Sequence, residues 1–168
     1  MLVMAPIREM ACQIQSEAER FGHHIGIYSV CVYGGASCGP QLREMQKGKH
    51  VIVGTLGRLN DFVEQGQLRL GICTSLVLDE VDRMLGMGFL PQIQTVIQAC
   101  PRERQTMMFS ATWPKDVHKL AQDYLTKPMH VQIGSHGLRG YSGPHSHFES
   151  RGGCSLQPRL RTLDRIQE

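Results

Sequence analysis

Apolar residues along the chain follow two alternating rhythms. Leu2-Val3-Met4-Ala5 is a short continuous run, the signature of a strand buried on both faces. Ile7, Met10, Ala11, Ile14, Ala18 and Phe21 then recur at three- and four-residue spacing, which predicts one face of a helix ended by Gly22. Ile25 to Tyr33 predicts a second strand, stopped by Gly34-Gly35. Pro40 opens a short helix through Lys47, because a first-turn proline gives up no hydrogen bond. Val51-Ile52-Val53 is a third strand, Gly57 to Gln65 a helix bounded by Gly66, and Leu76-Val77-Leu78 a fourth strand ending on Asp79-Glu80. Pro91 to Cys100 reads as helix, Thr106 to Phe109 as a fifth strand, and Pro114 to Leu125 as a last strong helix. Val131-Gln132-Ile133 is expected to close the regular pattern.

Strands that are continuous apolar runs and alternate with helices predict a parallel sheet covered on both faces. Such sheets place their ligands at the carboxyl ends of the strands. The polar and glycine-rich segments of this chain fall there: 6–9, Gly34-Gly35, 55–58, 79–82 and 110–112. After Gly134 the periodicity fades, glycine and polar residues accumulate, and residues 135–168 are expected to form a low-complexity, disordered tail. The division expected is therefore a folded domain over 1–134 and a tail over 135–168.

Composition changes this picture little. The 168 residues are 41% hydrophobic and 20% charged, enough apolar material for one core. A net charge of +3, with residues 1–134 nearly neutral, implies no polyanion partner by itself, so a nucleic-acid site must come from local placement of groups. Six scattered cysteines without a Cys-x-x-Cys pair read as free thiols in a reducing compartment. No apolar run reaches the roughly 18 to 20 residues of a membrane span, and Arg8 and Glu9 follow Met1–Pro6 too soon for a signal peptide. His136, His145, His147 and Cys154 fit no zinc spacing, and coincidence in a polar tail is the expectation for them.

Three strand ends carry candidate chemistry. In Asp79-Glu80-Val81-Asp82, an aspartate at a strand end suits a magnesium ion, directly or through its water, and the adjacent glutamate suits an attacking water. The same acids also suit the start of a helix, where the dipole favours negative charge. Ser110-Ala111-Thr112 offers two hydroxyls that sense a phosphate or cap a helix. Thr55-Leu56-Gly57-Arg58 offers a hydroxyl, a glycine and a guanidinium, groups that suit a nucleic-acid backbone or a capped helix start.

Together these segments resemble the DEAD-box family of ATP-dependent RNA helicases. Met4-Ala5-Pro6-Ile7-Arg8-Glu9-Met10-Ala11 resembles the family's Ala-Pro-Thr-Arg-Glu-Leu-Ala element, and Gly34-Gly35 its double glycine. Thr55-Leu56-Gly57-Arg58-Leu59 is similar to Thr-Pro-Gly-Arg-Leu. The namesake motif is matched from Val77 to Leu85 and on to Gly88-Phe89, with Val81 in place of alanine. Ser110-Ala111-Thr112-Trp113-Pro114 resembles the Ser-Ala-Thr element in the form of the Vasa-like branch. Ile7 and Leu56 stand where the family has a hydroxyl and a proline, and residues 135–168 do not resemble the family's continuation.

The resemblance implies an α/β fold, a RecA-like P-loop NTPase three-layer sandwich with a mostly parallel sheet. Relative to it the chain reads as truncated at its N-terminus, with the phosphate-loop strand missing. ATP and Mg2+ are the implied cofactors and RNA the implied partner, with protein partners a further possibility and nucleus or cytoplasm the implied location. Asp79 would serve magnesium through water, Glu80 the hydrolytic water, and Asp82 would link to Ser110 and Thr112. Pro6, Arg8, Gly35, Thr55, Gly57 and Arg58 would line the RNA backbone. No Gly-x-x-x-x-Gly-Lys-Ser/Thr occurs in these 168 residues; the single Gly48-Lys49 pair is followed by His50. Two functions therefore stand side by side: a fragment of a helicase coupling ATP hydrolysis to RNA unwinding or RNP remodelling, and a catalytically inactive RNA- or protein-binding fragment.

Overall fold

The computed structural model describes residues 1–133, and the compact unit within it is Met1–Met129. The expectations for residues 135–168, including the four candidate metal ligands, lie outside the described residues. Of the twelve described elements, ten follow the alternation that the apolar rhythm predicts, and the 3-10 turn and α4 are additions to it. The twelve are β1 (Leu2–Ala5), α1 (Arg8–Gly22), a 3-10 turn (His23–Ile25), β2 (Ser29–Val32), α2 (Cys38–Gln46), β3 (Val51–Thr55), α3 (Leu56–Glu64), β4 (Ser75–Leu78), α4 (Val81–Gly86), α5 (Leu90–Ala99), β5 (Gln105–Met108) and α6 (Lys115–Tyr124).

All five strands are parallel, in the order β2-β3-β1-β4-β5, where the family resemblance implied a mostly parallel sheet. β1 lies at the centre, with Leu2, Val3 and Met4 in register with Ile52, Val53 and Gly54 on one side and Leu76, Val77 and Leu78 on the other. Side chains alternate across the sheet as the period-2 geometry requires. Leu2, Met4, Val30, Val32, Leu76 and Leu78 face a large core shared with α2 to α6, where Met45, Leu59, Phe62, Met84, Ile93 and Leu120 are buried. Val3, Ala5, Val53 and Val77 face the opposite side, where Ala11, Met10 and Ile14 of α1 cover them. This is a three-layer sandwich whose two outer layers are very unequal.

Several boundaries differ from the sequence pattern. β2 starts at Ser29 rather than Ile25, because Ile25 sits in the 3-10 turn, Gly26 follows at φ 69°, and the Ile25 side chain is 72% exposed. A strand cannot run through a left-handed residue. Residues 131–133 form no strand; no described strand pairs with them, and Ile133 is exposed. α4, only six residues long, is too short to announce itself by periodicity. β5 forms the sheet's edge, its Met107 and Met108 are half-buried, and Phe109 just beyond it is 53% exposed.

Gly54 shows why the end of β3 reads as it does. A Cβ there would lie 2.7 Å from Val32 Cγ2 and 2.8 Å from Leu59 Cγ, closer than real atoms approach. The missing side chain lets β3 lie against β2 while α3 folds directly back from Thr55 onto the sheet. A Gly54→Ala variant is expected to lose about 1–3 kcal/mol through overpacking. Gly57→Ala, at a helical position with nothing within 4 Å, is expected to hold or gain stability. Urea unfolding of both variants checks the pair.

Candidate functional site

A parallel sheet delivers every strand's last residue to one rim, and the candidate residues gather there. Two clusters form on it, one at the ends of β4 and β5 and one at the ends of β1, β2 and β3.

The first cluster is built by the β4–β5 ladder running past both strands. Phe109 N–H donates to Leu78 O at 2.9 Å, and Val81 N–H donates to Phe109 O at 3.0 Å. Asp79 N–H turns the other way, to Met4 O at 3.0 Å, so the acidic segment is pinned between β1 and β5. Asp82 then meets the loop after β5. Its Oδ2 accepts from Thr112 Oγ1 at 2.5 Å and from Thr112 N–H at 3.0 Å, and its Oδ1 accepts from Arg83 N–H at 3.0 Å. Ser110 Oγ accepts from Asp82 N–H at 3.3 Å and donates to Thr112 O at 2.7 Å. Asp82, Ser110 and Thr112 thus form one closed set of hydrogen bonds across two strand ends. Burial alone would raise the Asp82 carboxyl, but the hydrogen bonds that Thr112 and the Arg83 N–H donate to it outweigh burial and hold it below the usual range.

Asp79 and Glu80 stand beside this set without joining it. Burial pushes the Asp79 carboxyl above its ordinary value; the Glu80 N–H, 3.0 Å from Asp79 Oδ1, opposes that shift, and the Glu80 charge adds to it. A half-buried carboxylate held above its ordinary value by desolvation is a group that a hard cation would relieve. Among the described residues no cluster of three His, Cys, Asp or Glu could hold a metal ion. Magnesium at Asp79 would accordingly keep most of its shell as water and phosphate oxygen, which is how that ion is commonly held. Glu80 lies in the left-handed region, at φ 51° and ψ 54°, where its main chain caps α4. For a residue other than glycine this costs about 1 kcal/mol or more. Its carboxylate pairs with Arg83 Nη1 at 3.4 Å, and the same nitrogen lies 3.9 Å from the Met10 sulfur of α1.

The second cluster surrounds the Gly34-Gly35 loop. Arg8, at the first turn of α1, lays its guanidinium over the Tyr33 ring at 4.4 Å. Gln41 of α2 clamps Tyr33 from both sides, accepting from its N–H at 2.9 Å and donating to its carbonyl at 3.1 Å. Gly35 adopts φ 76°. Arg8, Gly35 and Gly57 are exposed and Thr55 is half-buried, whereas Pro6 is buried and Arg58 only 7% exposed. Arg58 Nη2 donates to Ala36 O at 2.9 Å, and its Nε lies 3.9 Å from Asp61. Its Nε and Nη1 are buried without a hydrogen-bond partner among the described residues. The guanidinium therefore ties α3 to the loop after β2.

Sequence reasoning missed Gln41, Arg83 and Gly54. Arg83 carried a signal, since it stands three residues after Glu80 on a helical start. Gln41 carried none, because its partners are backbone groups across a loop.

The sign of the Asp82 shift sets a pH dependence. A carboxyl held low in the folded state contributes stability that is complete above its unfolded value, about 4. That contribution disappears as pH falls through the folded value. The wild type is therefore expected to exceed Asp82→Asn in urea midpoint at pH 7, with the gap shrinking below pH ~4.

Comparison with known proteins completes the description. The family model described as DEAD/DEAH box helicase matches residues 1–120. The ATP-dependent RNA helicase DBP2 of Lodderomyces elongisporus is 53% identical over 134 residues, 80% of this chain and 24% of its own length. DEAD-box ATP-dependent RNA helicase 14 of Arabidopsis thaliana is 46% identical over 168 residues, 99% of this chain and 27% of its own. That second match runs on into residues 135–168, which composition alone sets apart. DEAD-box ATP-dependent RNA helicase 40 of Oryza sativa subsp. japonica is 52% identical over 134 residues, 80% of this chain and 17% of its own. This chain thus spans about a quarter or less of these relatives. With the matched model covering all five described strands and both clusters on their rim, the chain belongs to the DEAD/DEAH box helicase family.

Proposed function

We propose that this chain is part of an ATP-dependent RNA helicase that couples ATP hydrolysis to RNA duplex unwinding or RNP remodelling. The observation that carries the reading is the closed hydrogen-bond set of Asp82, Ser110 and Thr112, which ties the acidic strand end to the neighbouring loop. A change at Asp79 or Glu80 on nucleotide turnover reaches Thr112 through one residue. In this reading Asp79 serves Mg2+ through water and Glu80 orients the attacking water, with positioning and charge neutralisation supplying most of the rate. Residues 1–134 form the ATP-binding part, and residues 135–168 lie beyond it. The Trp113-Pro114 form of the third motif supports the Vasa-like branch. Nucleus or cytoplasm is the location that fits; among the described residues no helix is long and apolar enough to cross a membrane.

RNA is the proposed partner, met through its backbone. Arg8, Gly35, Thr55 and Gly57 offer exposed or half-buried groups along one side of the rim, residue types that suit backbone contact. Pro6 and Arg58 act in this reading from beneath, Arg58 by holding the Ala36 carbonyl. One observation favours the second reading, a non-catalytic RNA- or protein-binding fragment: no phosphate-cradling Gly-x-x-x-x-Gly-Lys-Ser/Thr occurs in the 168 residues.

Phosphate release in the presence of single-stranded RNA separates the two. The 168-residue polypeptide alone is expected to show none. A longer gene product carrying this segment is expected to show RNA-stimulated release that Glu80→Gln abolishes. Release by the longer product that survives Glu80→Gln would sink the helicase reading. Fluorescence anisotropy with labelled RNA is expected to give binding that is indifferent to sequence, falls steeply with salt and weakens for Arg8→Ala.

A further inference from the structure

A pocket at the amino end of β5 has a lining that the chemistry at the rim does not use. It encloses about 250 Å3 where residues 102–106 meet residues 124–129, the segment that leaves α6. Three of its lining residues are cations, Arg102, Arg104 and Lys127, and none is acidic. Thr106 and Thr126 add two hydroxyls. Glu103 and Asp123, acids adjacent in sequence to these segments, stand outside the wall. Among the described residues neither Arg102 nor Lys127 forms an ion pair. Like charges gathered without a counter-charge repel one another, so an anion entering this pocket relieves the repulsion.

Two local features show that the cations are held in place. Arg104 is half-buried and anchored at two of its three nitrogens: Nε donates to Thr106 Oγ1 at 3.1 Å, and Nη1 donates to Pro101 O. Its Nη2 takes no part in these bonds, and the Arg104 N–H closes the loop on Arg102 O at 3.1 Å. A guanidinium fixed in this way loses little freedom when a ligand arrives. Lys127 adopts φ 49°, and it does so directly before Pro128, where the chain favours extended backbone. A lysine kept in that conformation is held against its own preference by its surroundings.

We propose that this pocket is a binding site for a phosphate dianion, either free inorganic phosphate or the terminal phosphate of a nucleotide. Arg104 supplies the fixed donor, Arg102 and Lys127 supply neutralising charge, and Thr106 and Thr126 supply hydroxyl donors. Three cations exceed what a single carboxylate needs, whereas a terminal phosphate carries roughly −1.5 to −2 at pH 7 and three acceptor oxygens. A phosphodiester inside a strand carries one charge and is esterified on two sides, so the pocket favours phosphate ends over internal backbone. The site lies at the opposite end of the strands from Asp79 and the Gly34-Gly35 loop. It needs neither ATP turnover nor RNA on the rim.

Thermal unfolding of the folded protein in increasing sodium phosphate, against sodium chloride at matched ionic strength, tests the site. The midpoint is expected to rise with phosphate concentration and to stay well below that rise in chloride. Arg102→Ala and Lys127→Gly are each expected to weaken the apparent phosphate affinity about tenfold, the effect of losing one charge-assisted hydrogen bond. Lys119→Ala, which removes a cation of α6 outside the pocket, is expected to leave it unchanged. Lys127→Gly is expected to hold or raise the phosphate-free midpoint, because glycine adopts a positive φ freely, so its lost response is not lost folding. Adenosine monophosphate separates the two sources: a response at lower concentration than inorganic phosphate assigns the nucleotide end, and an equal or weaker one assigns the free ion. A midpoint that moves no more in phosphate or adenosine monophosphate than in chloride overturns the proposal, as does a response that survives both Arg102→Ala and Lys127→Gly. Neither result bears on the helicase reading, whose test is RNA-stimulated phosphate release.

Discussion

In a sheet whose strands all run one way, each strand hands its last residue to the same rim, and the gathering of the candidate residues in this chain depends on that constraint. The central β1 enforces it. Its register with β3 and β4 fixes how far each neighbour extends, so Thr55 and Asp79 arrive level with Ala5. Buried apolar strands hold the register, because a slip of one residue would turn Leu2 and Met4 from the large core toward α1. Residues far apart in sequence thereby become neighbours with no contact of their own needed to recruit them.

On that rim the two clusters use different physics. Around Asp82 the arrangement is polar and closed: a carboxylate, two hydroxyls and three main-chain N–H groups satisfy one another across a strand gap. Such networks are worth most when every member is satisfied, since a half-satisfied one carries the full cost of its orphan groups. Around Gly34-Gly35 the arrangement is a loop held from three directions, by Arg8 through the Tyr33 ring, by Gln41 through the Tyr33 backbone and by Arg58 through Ala36. The first cluster suits transmission and the second suits holding an open surface in shape.

Much of this was legible in the sequence because it follows from periodicity. Five apolar runs became five strands, and the segments flanking them became one rim. The family resemblance supplied what periodicity could not, namely which residues on the rim belong together. What stayed hidden depends on three-dimensional detail. An arginine in a polar motif gives no sign that it will be 7% exposed, since its burial is decided by Phe62 and the loop at Ala36. Ile25 looks like strand until the glycine after it turns left-handed. The necessity of Gly54 depends on where Leu59 and Val32 come to rest, two elements that the local pattern treats as independent.

The backbone at Glu80 has a consequence for anyone engineering this domain. A left-handed residue that is not glycine is the first place a stability screen would turn, and glycine there would relax the chain at once. The gain would come from erasing a carboxylate that the fold keeps at a standing thermodynamic disadvantage. Selection for robustness alone would thus remove the carboxylate that pairs with Arg83, and a library enriched only for heat tolerance would drift toward proteins that have lost this tie between the strand end and α4.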